Sequence, residues 1–439
     1  MATNKWLTLV HVCQAWRYVV FAHPRRLNLR LVYAGSRPIS EMLDVWPVLP
    51  MVISQGLATY PSSKSYVDFW GNIVSALESE HRHHICEITL RRIPTSHLEK
   101  LAAAMRKPFP ELTFLHVVVE ESMSTSLPRS LLGGSAPLLR GLVLGNCSFP
   151  GLQKLLSSAH HLVVLSLWNI PHSGYISPQA LVTALLVMPR LEILRLRFRS
   201  PRPRPDPATR PPPFTRSILP ALTYLHFKGV HEYLEEVLAQ IETPLLSRFE
   251  ITFFMDLDFV VPQLHRLISH AESFKACDRA SVYPSGRAIR FAMFSETDHL
   301  PKFSLEIRCR DLDYQLSSLA QVCCSSLLLL FALVRLDIGH SRSQWKDDME
   351  TTQWLELLDP FTAVKDLHLS DQVARHIGQA LEELAEERVT EVLPALRNIF
   401  LNGLRPQEFV PRFIRRFVAA RQLSGNPVVV YHQGDGNLL

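Results

Sequence analysis

The stretch PLLRGLVL, Pro137–Leu144, decides how the chain folds, because it comes back many times. Related copies are PELTFLHV (Pro110–Val117), HHLVVLSL (His160–Leu167), PRLEILRL (Pro189–Leu196) and PALTYLHF (Pro220–Phe227). The shared pattern is a proline or small residue followed by L-x-x-L-x-L. An earlier copy is ICEITL (Ile85–Leu90), and PLLSRFEI (Pro244–Ile251) keeps the spacing with Phe249 in the middle. Late copies are ALVRLDI (Ala332–Ile338), TAVKDLHL (Thr362–Leu369) and PALRNIFL (Pro394–Leu401). Starts at Ile85, Leu112, Leu139, Leu162, Leu191, Leu222 and Leu246 lie 23 to 31 residues apart, and those at Leu333, Val364 and Leu396 lie 31 and 32 apart. The gap of 87 from Leu246 to Leu333 is three steps of 29, with degenerate copies at Phe274–Cys277 and at Leu300, Phe303 and Leu305. About twelve units result.

Each L-x-x-L-x-L segment reads as a short strand entered through a tight bend, with alternate residues facing inward. Segments between copies read as helices. Ser177-Pro178 starts one, with Ser at the N-cap and Pro in the first turn. His231–Ile241 gathers Leu234, Val237, Leu238 and Ile241 on one face, and Gln372–Glu387 gathers Val373, Ile377, Leu381 and Leu384. Pro406–Leu423 places Phe409, Phe413 and Phe417 at helical spacing. Strand, bend and helix at this period predict an α/β leucine-rich-repeat solenoid, a horseshoe whose units share one core because none can bury its own apolar face. Leu142, Leu165, Leu194 and Leu225 are expected to stack in one core row.

Composition agrees with a globular body: of 439 residues, 47% are hydrophobic and 20% charged. A formal charge of +5 is too modest to make a nucleic-acid binder. Seven scattered cysteines argue for a reducing compartment, so cytoplasmic or nuclear residence is expected. The start lacks the features of a secretory signal, and the longest apolar run, Leu327–Val334, falls well short of the ~20 residues of a bilayer span. Phosphate-loop, nucleophile-elbow and zinc-protease motifs are all missing, as is any C-x-x-C. His81, His83 and His84 read as a solvated connector. Cys13, Cys323 and Cys324 read as core. No catalytic residue, cofactor or metal is expected, and the chain reads as a non-enzyme.

The N-terminal segment WLTLVHVCQAWRYVVFAHPRRL supplies Trp6, Leu9, Val12, Cys13, Trp16 and Arg17 in the order W-x-x-L-x-x-V-C-x-x-W-R. It resembles the closing helices of an F-box. With RLNLRLVYAG and the repeats downstream, most of the chain resembles fungal, mushroom-type F-box proteins with leucine-rich repeats. The opening L-P-x-E-I/L segment of such a box has no counterpart in the five residues before Trp6, so the resemblance is to a box truncated at its N-terminus. It implies a non-catalytic substrate-recognition subunit of an SCF-type cullin-RING ubiquitin ligase. Trp6, Leu9, Val12, Trp16 and Arg17 would then contact the SCF adaptor, and the solenoid would hold a target protein. The other reading is a leucine-rich-repeat scaffold that binds protein without ligase docking.

The expected organisation is partial F-box-like helices over 1–27, a linker and cap over 28–84, the solenoid over 85–423 and a flexible tail over 424–439. A Pro/Arg-rich insert over 199–216 interrupts the solenoid; it reads as an exposed loop, or else as a docking peptide or a phosphate-facing basic patch. Solvent-facing strand positions are the candidate partner-binding residues: His116, Arg140, Arg195, Arg197, His226, Arg335, Asp337, Lys365 and His368. The sequence makes no strong case for a homo-oligomer.

Overall fold

The computed structural model describes residues 12–22, 29–44, 49–55, 63–120, 125–200, 216–254, 261–285, 287–308, 312–326, 328–339, 351–384, 388–403 and 411–433. Trp6, Leu9, Phe409 and most of the Pro/Arg-rich insert lie outside them. Two compact units are present. One runs to Ser200 and takes in Ser217–Leu222 and Ile241–Thr243; the other is built from Thr223–Gln240 and Pro244–Leu439.

The first unit carries β1 (Leu31–Tyr33), β2 (Met51–Ser54), β3 (Ile85–Ile93), β4 (Phe114–Val119), β5 (Gly141–Gly145), β6 (Val164–Ile170) and β7 (Ile193–Phe198). These strands pair side by side, all parallel, in chain order. Its helices include α1 (Gln14–Ala22), α2 (Ile39–Leu43), α3 (Ser63–Glu78), α4 (Thr95–Ala104), α5 (Leu152–Leu156) and α6 (Pro178–Leu185). Ser177 caps α6 as its sequence requires, its hydroxyl accepting from the Ala180 amide at 3.2 Å. Ile53, Ile88, Leu115, Leu142, Leu165 and Leu194 stand opposite one another in register across six strands. All six are fully buried.

The proline of the repeat has a definite job. The amides of Leu112, Leu139, Leu191, Leu222 and Leu396 donate to the carbonyls of Phe109, Ala136, Met188, Leu219 and Leu393 at 3.0–3.4 Å. Each closes a β-turn with Pro110, Pro137, Pro189, Pro220 or Pro394 at its second position, where a φ fixed near −65° is already correct. In seven cases the residue just before a strand, at Thr113, Arg140, Val163, Thr223, Asp278, Val334 and Lys365, then offers one carbonyl to two amides of the neighbouring copy. Val163 and Val164 both donate to Arg140 (2.8 and 3.0 Å), and Arg397 and Asn398 both donate to Lys365 (2.9 Å each).

The second unit carries β8 (Tyr224–Gly229), β9 (Arg248–Phe254), β10 (Arg279–Ser285), β11 (Ala288–Phe294), β12 (Phe303–Arg308), β13 (Arg335–Ile338), β14 (Asp366–Ser370), β15 (Asn398–Asn402) and β16 (Val429–Gln433). Its helices include α7 (His231–Gln240), α8 (Pro262–His270), α9 (Glu272–Lys275), α10 (Leu312–Ser326), α11 (Thr351–Leu358), α12 (Asp371–Glu383) and α13 (Arg412–Leu423). Strand order is β8-β9-β12-β11-β10-β13-β14-β15-β16. All pairs are parallel except those of β11, which runs antiparallel to both neighbours. Leu225 heads the core row of this unit, opposite Phe249, and Leu336, Leu367 and Ile399 continue the row further along the sheet.

Several expectations change here. Phe274 lies in α9 and the strand begins only at Arg279, so the weak copy is Cys277, Ala280 and Val282, shifted by three residues. Phe303 and Leu305 are core, whereas Leu300 is exposed, because β12 is entered from the reversed strand β11. The region expected as linker and cap supplies β1, β2 and the α3 core residues Trp70, Ile73 and Leu77. The region expected as tail supplies β16, paired with β15. Cys13 is exposed, not core. Cys323 is buried as expected.

Candidate functional site

Alternation in the strands puts the x residues of the repeat on the sheet face opposite the core. In the second unit the row Asp337–His368–Phe400–Tyr431 runs in register across β13, β14, β15 and β16. Beside it runs Arg279–Arg335–Asp366–Asn398, across β10, β13, β14 and β15.

Asp337 is the centre of this patch. Arg335 Nε donates to its Oδ1 at 2.9 Å, and Arg279 Nε stands 3.4 Å from its Oδ2. His368 Nδ1 stands 3.9 Å from Oδ1. Burial and the Arg335 charge lower the His368 pKa below its ordinary value despite the two aspartates nearby. At neutral pH its imidazole is therefore uncharged, and its contact with Asp337 is not an ion pair. The His368 ring lies flat on Phe400, centroids 4.2 Å apart and planes 10° apart, and Phe400 lies on Tyr431 at 5.0 Å and 15°. Asn398 Nδ2 donates to Asp366 Oδ1 at 2.7 Å. Arg279 also covers the Phe294 ring at 4.5 Å.

Further along the same face, Glu306 accepts from Arg290 (3.0 Å) and Arg308 (2.6 Å). Burial alone would raise its pKa, but the two guanidiniums outweigh it and hold the carboxyl below its ordinary value. Glu250 pairs with Arg248 and lies 3.5 Å from His226 Nδ1.

Of the expected partner-binding residues, Arg335, Asp337 and His368 come together. Lys365 sits exposed at the bend just before β14. His226 belongs to the β8–β9 part of the same unit. His116, Arg140, Arg195 and Arg197 belong to the first unit. There His116 faces outward on β4 between Thr89 and Val143. Burial, helped by the Arg91 charge, pushes its pKa down to about 4. Arg195 and Arg197 face outward on β7, and Arg140 is exposed at the bend before β5. Sequence reasoning missed Arg279, Phe400 and Tyr431. The outward parity of Phe400 was already readable in PALRNIFL, whereas that of Arg279 and Tyr431 needs the strand limits at residues 279 and 429 to be known. On the first unit's outer face, Gly141 and Gly145 make room for aromatic neighbours. A Cβ at Gly141 would lie 2.2 Å from the Phe114 ring, and one at Gly145 would lie 2.7 Å from the Trp168 ring.

Of the expected adaptor-contact residues, Val12 and Trp16 are exposed at the start of α1, as are Tyr18 and Val19. Arg17 lies on the same exposed helix. Among the described residues no group of three or more His, Cys, Asp or Glu is arranged to hold a metal ion. No helix among them is long and apolar enough to cross a membrane.

No known protein family matches the chain, and no curated protein does. Among solved structures it is similar to the leucine-rich repeat-containing protein LegL7 from Legionella pneumophila. The identity is 13% and the TM-score 0.27, over 90% of this chain and 98% of that one.

Proposed function

We propose that the chain is a leucine-rich-repeat scaffold that binds a protein on the outward faces of its strands and carries out no chemistry itself. The observation that supports this most directly is the patch around Asp337. Two arginines, a neutral histidine and two further rings stand in register on the sheet face opposite the core, with no zinc-type or nucleophile constellation among them. A repeat array offers such rows as an extended recognition surface. The test is selection of peptides from a random displayed library on the immobilised full chain. Selected peptides are then re-bound to a chain carrying Arg335→Glu and Phe400→Asp. Loss of the selected binders supports the reading; binders indifferent to both changes would sink it.

A second reading has its own observation. Val12, Trp16, Tyr18 and Val19 are exposed apolar residues on a segment that resembles an F-box, part of which an SCF adaptor would cover. On that reading the scaffold presents a target for ubiquitination, in the cytoplasm or the nucleus. Co-purification with the adaptor, lost on Trp16→Ala with Arg17→Ala, would support it. Absence of co-purification leaves the scaffold alone.

A further inference from the structure

We infer that the face formed by β10 and β13–β16 takes an extended acidic peptide carrying one aromatic side chain. Arg279 and Arg335 would pair its carboxylates, and Tyr431 would receive its ring. This rests on the protein-binding reading above and names the class of partner.

The charge argument is one of exposure. The Asp337 side chain is only 10% exposed, while those of Arg279 and Arg335 are 36% and 40% exposed. The carboxylate is turned in and the guanidiniums are turned out. Each guanidinium has five N–H donors. Arg335 spends its Nε on Asp337, and no other hydrogen bond from either side chain is made among the described residues. Exposed Lys365 and Arg397 stand at the bends that precede β14 and β15, at the same end of the strands. Asp366 already accepts from Asn398. A partner approaching this face meets unspent cationic donors in a fork geometry suited to carboxylates.

The ring argument selects an aromatic and limits the number to one. His368, Phe400 and Tyr431 cover one another's faces, so a ligand cannot slide between them. The open face is the outer one of Tyr431, which is 45% exposed on β16, the last strand of the sheet. A single-stranded nucleic acid would want a separate ring for each successive base. Here the rings are used up on each other, so successive bases would find none.

The experiment is fluorescence anisotropy with the full chain and a short fluorescein-labelled peptide of Asp, Glu and Ser around one Trp. Binding should weaken roughly tenfold or more in a chain with Arg279→Gln, Arg335→Gln and Asp337→Asn together. The third change avoids leaving a buried, unpaired carboxylate. Tyr431→Ser should also weaken binding, and should have no effect on a peptide whose Trp is replaced by Ser, a coupling that a fold defect would not produce. A peptide with Lys in place of the acids should not bind. Equal binding of the Lys peptide, an unaffected triple variant, preference for an RNA of similar length, or no binding of the acidic peptide would each overturn the inference. If library selection yields binders on this face that are not acidic, the protein-binding reading stands and only this inference falls.

Discussion

Asn169 Nδ2 donates to Asn146 Oδ1 at 3.0 Å, and Asn146 Nδ2 donates in turn to the Val119 carbonyl at 2.7 Å. Both asparagines have left-handed backbones, φ 60° for Asn146 just after β5 and 52° for Asn169 at the register shift near the end of β6. Asparagine tolerates that conformation better than other side-chain-bearing residues. It also carries a donor and an acceptor, so one residue type satisfies the turn and links three successive copies. Asn146→Ala should therefore destabilise the first unit by about 2–3 kcal/mol, the strain adding to the lost hydrogen bonds. Asn146→Gly should recover the backbone part only. Urea midpoints of the two variants separate the contributions; equal midpoints would mean the backbone conformation carries none of the loss.

Leu165 lies between Leu142 and Leu194 in the core row, and all three are at most 1% exposed. Leu165→Ala should cost about 2–5 kcal/mol through lost burial and the cavity left behind. Because stacked repeats are stabilised by their neighbours, amide exchange should quicken in β5 and β7 as well as in β6. Protection lost only in β6 would argue against a shared core.

Much of this was legible in the sequence because the repeat encodes two physical requirements at once. Leucines at the fourth and sixth positions mark alternate inward residues, and the proline marks the turn before the strand. Where either signal weakened, reading failed. β11 carries inward Ile289, Phe291 and Met293 but no turn proline and no fixed offset, so a reversed strand left no periodic trace. β16 ends the series without the leucines, and none of Val429, Val430, Tyr431 or His432 is buried. The Asn146 and Asn169 pair was visible two residues past Leu144 and Leu167, but in only two copies. At the candidate site, Arg335, Asp337 and His368 were legible from parity alone. Arg279 was hidden because its copy is shifted by three residues, and Tyr431 because its strand fell in the expected tail.

His116 gives a pH signature to the first unit. Its folded pKa of about 4 lies below the ordinary value of 6.5, chiefly because burial disfavours the charged ring. The unfolded chain therefore takes up a proton before the folded chain does. Its contribution to stability is fully present above about pH 6.5 and is lost progressively as pH falls toward 4. His116→Gln should lose less stability than the parent over that window and match its pH slope above it. Denaturant unfolding at a series of pH values reads this directly, and an NMR titration of the ring should find it neutral at pH 5.5.

Arg421 tests how the last repeats are held. It lies on α13 and is fully buried, yet its guanidinium donates to three carbonyls: Val389 at 3.3 Å, Pro394 at 3.2 Å and Leu396 at 3.1 Å. Those carbonyls belong to the segment that leads into β15, including its turn proline. Burial pulls the Arg421 pKa below its usual value, and the Phe417 ring at 5.9 Å adds a weak attraction. Arg421→Met fills similar space but leaves the carbonyls without a donor, which should cost about 2–4 kcal/mol. Arg421→Lys keeps a charge, but a single ammonium does not span the three acceptors, so only part of the loss should return. Amide exchange at Ile399 and Leu401 should rise in both variants, because β15 loses the clamp on its approach. A methionine variant as stable as the parent would mean that desolvating the guanidinium cancels its hydrogen bonds, a balance known for buried charges. In that case Arg421 would fix the path of the chain into β15 without adding to its stability, and exchange in β15 would still rise.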